Sequence, residues 1–269
     1  VAPFDDVNVR RGIALSLDRA EIAETASEGY MQPAGQTGLI LPNQEEYLDP
    51  SIPDAGMITQ DTDAALAAFA EAGYTLQGDR LVGADGEQLE FALTTANGYS
   101  DWTRAAQTVQ RQLAEVGVKV SLKLPQPAGY QNAISNGDFE MAVGGMGNGD
   151  VYQAYNNLLS SEFYVPSGSG EPTANNFQRY RSDEADALLA EYRETVDPAR
   201  QTEIVNELQG IVYDELPVIG LYYGGIWGLF NDSKFTGWPT EDDPYMIPQN
   251  YDSAPLGIFT RLERVKGAD

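Results

Sequence analysis

The sequence predicts an α/β fold built on a βαβαβ segment. The first observation is a hydrophobic period of two, strict in Val118–Leu124 and present in Phe139–Val143, which is typical of half-buried strands. The second is the helical period of Trp102–Val116, which ends before Gly117. The third is the segment order: strands at 88–94, 118–124 and 139–145, with helices at 102–116 and 130–136. Strands that alternate with helices predict a parallel or mixed sheet.

Capped helices are predicted before this segment. Asp6 and Asp18 stand where a side chain can cap the following helical run, and Asp61 precedes an Ala-rich run. The carboxylates of Asp61 and Asp63 also suggest calcium, but the glycine and distal glutamate of an EF-hand loop are absent. Helix capping is therefore the preferred interpretation. The remaining predicted elements are an irregular segment at 33–53, a β-hairpin of 80–82 and 88–94 around Asp85-Gly86, core-packing helices at 183–195 and 198–213, and a strand at 216–223.

Composition excludes several classes of function. The 269 residues hold 41 acidic and 16 basic side chains, and the net charge of −25 disfavours nucleic acid and anionic membranes as partners. The chain has no Cys and no His, which excludes thiol nucleophiles, zinc sites of the usual kind and Ser-His-Asp triads. No apolar run approaches the roughly 18 residues of a membrane helix. No cofactor, metal or catalytic residue is predicted.

The main candidate for function is the segment that follows the third strand, Gly144–Asp150, called here the glycine-rich loop. Because glycine has no side chain, the backbone of this segment can approach a ligand closely. Ligands of open α/β sheets bind past the carboxyl ends of the strands. The spacing is not G-x-G-x-x-G and no Lys follows, so a nucleotide is not expected. Asp150 can cap a helix at 151–159. A strand–helix turn with no ligand is the alternative interpretation.

Five segments stand in an order that matches a known family: Val9–Arg19 (VRRGIALSLDR), Phe69–Tyr74 (FAEAGY), Gly137–Met141 (GDFEM), Asn176–Asp186, and Asp197–Pro217. Together they resemble the family 5 extracellular solute-binding proteins of ABC importers, the oligopeptide- and dipeptide-binding type. The resemblance implies a type II periplasmic-binding-protein-like fold. It also implies capture of a peptide outside the cell, with permease subunits as membrane partners and no catalysis.

Members of that family are about twice as long as this chain, which begins Val1-Ala-Pro without an initiator Met. The resemblance therefore implies a second, ligand-binding lobe at 1–223 and a tail at 224–269 that returns to an absent first lobe. Placement would be at the cell surface as a lipoprotein, or in the periplasm.

The ligand class stays open between peptide and oligosaccharide. Residues 227–245 resemble the cello-oligosaccharide-binding branch, in which aromatic rings stack on sugars, and the loop lacks the Trp of many peptide binders. The candidate ligand-binding residues are Gly145, Met146, Gly147, Asn148, Asp150, Tyr152, Asn156, Trp227 and Trp238. A glycoside hydrolase with two carboxylates and a cell-surface interaction module are the remaining alternatives.

Overall fold

The computed structural model describes residues 2–146, 149–250 and 253–266, which form two compact units, Val1–Tyr223 and Gly224–Asp269. The helices of the first unit are α1 Val7–Leu15, α2 Arg19–Ser27, α3 Thr62–Glu71, α4 Ser100–Glu115, α5 Pro127–Asn136, α6 Val151–Leu159, α7 Asp183–Glu194 and α8 Pro198–Glu215. Its strands are β1 Thr75–Gln77, β2 Arg80–Val82, β3 Glu90–Thr94, β4 Lys119–Lys123 and β5 Met141–Ala142. The second unit contains β6 Phe235–Thr236, α9 Ala254–Phe259 and β7 Glu263–Arg264.

A parallel sheet with the strand order β4-β3-β5 lies at the centre of the first unit. Glu90 to Thr94 of β3 pair one by one with Lys119 to Lys123 of β4. On the other side, β3 pairs with both residues of β5. Helix α4 connects β3 to β4, and α5 connects β4 to β5. The predicted α/β class and the βαβαβ order are confirmed, and the carboxyl ends of these strands meet at one edge.

The predicted helix caps are also present. The Asp18 side chain accepts a hydrogen bond from the Glu21 amide, and that of Asp61 accepts one from the Ala64 amide. Each carboxylate thus satisfies one of the first four N–H groups of its helix, which have no partner inside the helix. These are contacts between near neighbours in the chain, which is why the pattern predicted them well.

The predicted strand at 139–143 is wrong in its extent, because only Met141–Ala142 is a strand. Just before β5, the Glu140 carboxylate accepts the backbone N–H of Ala92 at 2.7 Å. Just after it, the Val143 N–H donates to the Thr94 carbonyl at 2.9 Å. The Glu140 side chain therefore replaces the backbone pairing between β3 and β5 at the start of β5. The backbone pairing that remains ends where the glycine-rich loop begins.

The predicted hairpin around Asp85-Gly86 is present but shorter than predicted, because its two arms share one antiparallel bridge, with the Leu89 N–H donating to the Leu81 carbonyl at 2.8 Å. A longer antiparallel pair is formed by β1 and β2, and its turn contains Gly78 at φ +66°. Residues 83–87 form a turn that is closed by a single antiparallel bridge between Val82 and Gln88. Strand β3 follows directly. Strand β2 therefore pairs along its length with β1 and at one residue with the segment before β3.

The predicted strand at 216–223 is wrong as well, since it makes one isolated bridge, between Pro33 and Tyr222. Backbone bonds to this segment come from Ala34, whose N–H donates to the Leu221 carbonyl, and from Gln32, whose carbonyl accepts the Tyr223 N–H; side chains bind the rest. The Gln36 amide donates to the Val218 carbonyl at 2.5 Å and accepts the Gly220 N–H at 3.0 Å. The Arg19 guanidinium donates to the Gly220 carbonyl at 2.8 Å.

Two main groups of buried apolar side chains support these elements. One packs α1 to α4 against the sheet and includes Ile13, Phe69 and Leu93. The other joins α6, α7 and α8 and includes Tyr155, whose hydroxyl donates to the Thr37 carbonyl at 2.7 Å. Because Tyr155 is fully buried, α6 is anchored at the far end of the glycine-rich loop. Within residues 2–146, 149–250 and 253–266, no helix combines the length and the apolar character that a bilayer span requires.

Candidate functional site

The glycine-rich loop leaves the sheet at the carboxyl edge shared by β3 and β5. Gly144, Gly145 and Met146 are exposed, Met146 by 46%. Within the described part of the chain, the backbone N–H and C=O groups of these three residues make no hydrogen bond. Gly147 and Asn148, both predicted ligand-binding residues, lie outside the described residues. The described part of the loop therefore presents consecutive polar backbone groups to solvent.

Two loop glycines are explained by packing or backbone conformation without a ligand. A Cβ atom at Gly144 would overlap the phenol oxygen of Tyr130, which donates to the Val143 carbonyl at 3.0 Å. Gly149 has φ +94°, and a Cβ atom there would overlap the Gln153 side chain. The alternative interpretation of the loop, a strand–helix turn with no ligand, explains the glycines at these two positions.

Gly145 differs from both. A Cβ atom here would stand 3.5 Å from Cζ2 of Trp102, an ordinary van der Waals contact, and no positive φ is found. Neither the backbone nor the packing therefore demands a glycine at this position.

Asp150 and helix α6 form the far side of the loop. The Asp150 carboxylate accepts the Gln153 N–H at 2.8 Å and so caps α6, as predicted. The Tyr152 ring stacks on Tyr192 with 5.3 Å between centroids, and its hydroxyl donates to the Asn156 amide oxygen at 3.3 Å. Burial, followed by the nearby Tyr47 and then Asp150, raises the pKa of Tyr192. Of the predicted residues here, Tyr152 and Asn156 are bonded to each other and one Asp150 oxygen is used by the cap.

The other predicted residues, Trp227 and Trp238, belong to the second unit. Trp238 stacks on Phe230 with 5.2 Å between centroids, and its indole N–H donates to the Phe235 carbonyl at 2.9 Å. Trp227 is 67% exposed. Trp238 is thus partly engaged within its own unit, and about two thirds of Trp227 is exposed to solvent.

The structure adds three aromatic residues that the sequence analysis missed: Tyr99, Trp102 and Tyr130, called here the aromatic shelf. Trp102 meets Tyr99 edge to face at 5.0 Å and 70°, and meets Tyr130 at 5.8 Å and 58°. Tyr99 is exposed and Trp102 partly so, while Tyr130 is buried. Burial, with a smaller effect of Tyr99, raises the pKa of Tyr130 to about 12. In the sequence, Tyr99 and Trp102 follow closely after the predicted strand 88–94. These two aromatic residues were the signal that could have identified the shelf.

Polar side chains next to the shelf have partners or neighbours within the protein. The Tyr222 hydroxyl is buried without a well-formed hydrogen bond, and burial together with the facing Asp101 carboxylate raises the pKa of Tyr222. The neighbouring Arg104 side chain donates to the Ala26 carbonyl at 2.5 Å. Arg104 also lies 3.7 Å from the Glu28 carboxylate, so the groups that the shelf itself offers to a ligand are aromatic rings and backbone.

A shallow groove of about 280 Å³ elsewhere in the first unit is lined by carboxylates, among them Glu184, Glu207 and Asp214. None of the predicted site residues lines it. In the described ranges, no group of three or more acidic side chains is arranged to hold a metal ion.

The fold and the sequence are similar to those of known binding proteins. The periplasmic oligopeptide-binding protein of an ABC transporter from Thermotoga maritima, solved with mannohexaose bound, superposes with a TM-score of 0.87 at 23% identity, over 99% of this chain and 51% of that one. Oligopeptide-binding protein AppA of Bacillus subtilis is 24% identical over 82% of this chain and 39% of its own length. Glutathione-binding protein GsiB of Escherichia coli is 26% identical over 81% of this chain and 40% of its own length. The chain thus spans about two fifths of the length of these two relatives.

The family comparison covers the region that carries the site. The sequence profile described as bacterial extracellular solute-binding proteins, family 5 Middle, matches residues 1–169. This range is more than half of the chain and includes the parallel sheet, the aromatic shelf and the glycine-rich loop. The resemblance found in the five sequence segments is confirmed, and the chain belongs to the bacterial extracellular solute-binding proteins of family 5.

Proposed function

We propose that this chain forms part of the solute-binding component of an ABC importer and captures a small organic solute of the oligopeptide class. One observation carries the proposal: in a member of this family, the described residues 144–146 of the glycine-rich loop stand at the carboxyl edge of the parallel sheet with unpaired backbone groups. Backbone N–H and C=O groups can pair with the main chain of a peptide. The names of AppA and GsiB, which specify an oligopeptide and glutathione, support the same class.

An oligosaccharide is the second candidate ligand. The Thermotoga maritima protein, which matches almost the whole chain, was solved with mannohexaose. Aromatic rings on the shelf and in the tail suit the apolar faces of sugar rings. The ammonium group of a peptide would need a carboxylate, and the nearest acid in the loop, Asp150, already caps α6.

For the domain organisation, we propose that residues 1–223 form the ligand-binding lobe and that residues 224–269 belong with a first lobe outside this chain. The division into compact units after Tyr223 supports this, as does the share of the relatives that the chain covers. Further support comes from the large apolar side chains that the second unit exposes, such as Leu229 and Phe259. A tail that packs on another lobe would bury such groups.

The proposed partners are the permease subunits of the importer, and the proposed location is the cell surface or the periplasm, with a lipoprotein anchor as one means of attachment. The relatives above are named as binding proteins. We propose no catalysis. A hydrolase would turn over chromogenic glycosides, and a steady rate above background with this protein would contradict the binding role.

The test is a thermal-shift panel on the full-length protein with di- to pentapeptides and with cello-, xylo- and manno-oligosaccharides. A ligand at 100 times its dissociation constant adds about 2.7 kcal/mol to the free energy of unfolding, which is readily visible as a higher Tm. If both panels leave the Tm unchanged at millimolar concentration, the proposed function is wrong for both ligand classes.

The variant Asp150→Asn then separates the two classes. Asn retains the helix cap, so the fold is preserved, while the negative charge is lost. A peptide whose amino terminus contacts Asp150 should lose most of its affinity. An oligosaccharide should bind within a few-fold of its original affinity.

A further inference from the structure

We propose that Trp102 is a stacking subsite for a flat, uncharged ring of the solute, oriented by Tyr99 and Tyr130 and kept open by Gly145. The inference rests on the proposed function, because it assigns a chemical preference to one part of the same site. The ring can come from a pyranose unit of an oligosaccharide or from an aromatic side chain of a peptide. Both offer C–H groups and a flat surface to an indole.

The orientation of Trp102 is fixed by its neighbours. Tyr99 and Tyr130 contact it at steep interplanar angles of 70° and 58°, so neither of them covers the indole by parallel stacking. Tyr130 is itself held in place by its hydrogen bond to the Val143 carbonyl, directly before the loop. A partly exposed indole held in one orientation loses little conformational freedom when a ring stacks on it.

Gly145 provides the second, independent observation. A clash with Tyr130 explains the glycine at 144, and a positive φ together with a clash explains the glycine at 149. Neither a clash nor a positive φ explains the glycine at 145. A Cβ atom at this position would stand 3.5 Å from Cζ2 and 4.0 Å from Cη2 of Trp102. The missing side chain therefore leaves free the space beside Cζ2 and Cη2 of the indole, where the described loop residues 144–146 also offer unpaired backbone groups.

The charged side chains next to the shelf are already engaged with the protein. The Asp101 carboxylate faces the buried Tyr222 hydroxyl, and Arg104 donates to a backbone carbonyl. One oxygen of Asp150, at the end of the loop, caps α6. The remaining recognition groups are ring surfaces and backbone N–H and C=O groups, which suit a neutral ring that carries hydroxyl or amide groups at its edge.

The experiment compares Trp102→Leu, which removes the flat ring but keeps an apolar side chain, with Trp102→Phe, which keeps a ring. Titration calorimetry on the full-length protein uses mannohexaose, cellopentaose, Ala-Phe-Ala and trialanine as probes. We expect Trp102→Leu to weaken the ring-bearing probe that binds by about tenfold and Trp102→Phe to weaken it by less than about threefold. Trialanine, if it binds, should keep its affinity. Tyr213→Leu, a change to a half-buried aromatic residue on α8 outside the shelf, serves as the control and should leave every affinity unchanged.

Gly145→Ala tests the same surface without touching Trp102, and it decides the matter if Trp102→Leu unfolds. The added methyl group fits the fold, so the Tm should not change, but it occupies the space beside the indole and should weaken the same probes severalfold. Which probes respond identifies the source of the ring, sugar or peptide.

Three results would overturn the inference. Ring-bearing probes could bind Trp102→Leu and Gly145→Ala as tightly as the unaltered protein, in which case the proposed function stands and only the subsite is wrong. Trialanine could weaken as much as Ala-Phe-Ala, which would mean that Trp102 only supports the loop. Lastly, if no probe binds the unaltered protein at millimolar concentration, the proposed function and the subsite fail together.

Discussion

Gly144 and Tyr130 show at the level of single residues how tightly the loop is attached to the sheet. A methyl group at position 144 would overlap the phenol oxygen of Tyr130. We therefore expect Gly144→Ala to lower the free energy of unfolding by about 1–3 kcal/mol, the usual cost of overpacking a filled site. Urea denaturation of the two proteins measures the difference.

Gly129→Ala is the matched control for this change. Gly129 lies in α5, where a Cβ atom would stand 3.5 Å from Pro125, and alanine favours helices over glycine by up to about 1 kcal/mol. It should therefore cause no loss of stability. Equal effects of the two variants would mean that the contact between loop and Tyr130 is not tight.

The same tyrosine gives a prediction for alkaline pH. The pKa of Tyr130 is raised from 10.0 to about 12, mainly by burial, so the folded protein retains a proton that the unfolded chain releases above pH 10. The stability that depends on the neutral hydroxyl is complete below pH 10 and is lost as the pH rises from 10 through 12. Denaturation curves between pH 9 and pH 12 should fall less steeply for Tyr130→Phe than for the unaltered protein. Parallel curves would contradict this assignment.

At the level of elements, the segment 216–223 illustrates how side chains replace a sheet. Gln36 is 1% exposed and bonds both Val218 and Gly220. Truncation to alanine leaves partly buried backbone groups without these partners, so Gln36→Ala should cost about 1–3 kcal/mol. Thermal or urea unfolding checks this value.

Gln131→Ala is the comparison for that prediction. Gln131 is exposed on α5 and bonds only the Ser135 hydroxyl, at 3.3 Å. Its replacement should change the free energy of unfolding by less than about 0.5 kcal/mol. If Gln36→Ala were equally mild, the segment would be held by its apolar contacts and not by these hydrogen bonds.

For the whole molecule, the two units should differ in local stability. The parallel strands 90–94 and 119–123 are paired along their length inside the main core, whereas the second unit has two paired residues per strand and exposes Leu229 almost completely. Hydrogen exchange on this chain should therefore show slow amides in β3 and β4 and fast exchange across 225–247. In the full-length protein, the proposed first lobe should slow the exchange of 225–247. If the amides of 225–247 exchanged as slowly as those of β3 and β4 in the isolated chain, the proposed division into lobes would be contradicted.

The sequence alone determined the features that depend on neighbours in the chain. The helical period of 102–116 and the carboxylate at Asp150 predicted α4 and the start of α6 to within two residues at each point. A cap is a contact across three residues, and an amphipathic period is visible within four turns, so a local window contains the cause of each. The α/β class, the family and the position of the glycine-rich loop followed from these local signals and their order.

Tertiary structure decided the features that depend on distant residues. Strand β5 is short because Glu140 reaches Ala92, 48 positions away, and 216–223 is irregular because Gln36 binds it from 182 and 184 positions away. The site follows the same rule. Loop and helix residues were predicted, but Trp102 joins them only because the parallel pairing of β3 with β5 brings the start of α4 beside Gly145. Hydrophobic period and turn residues fix elements, whereas the neighbours of each element are fixed by burial and hydrogen bonding across the whole fold.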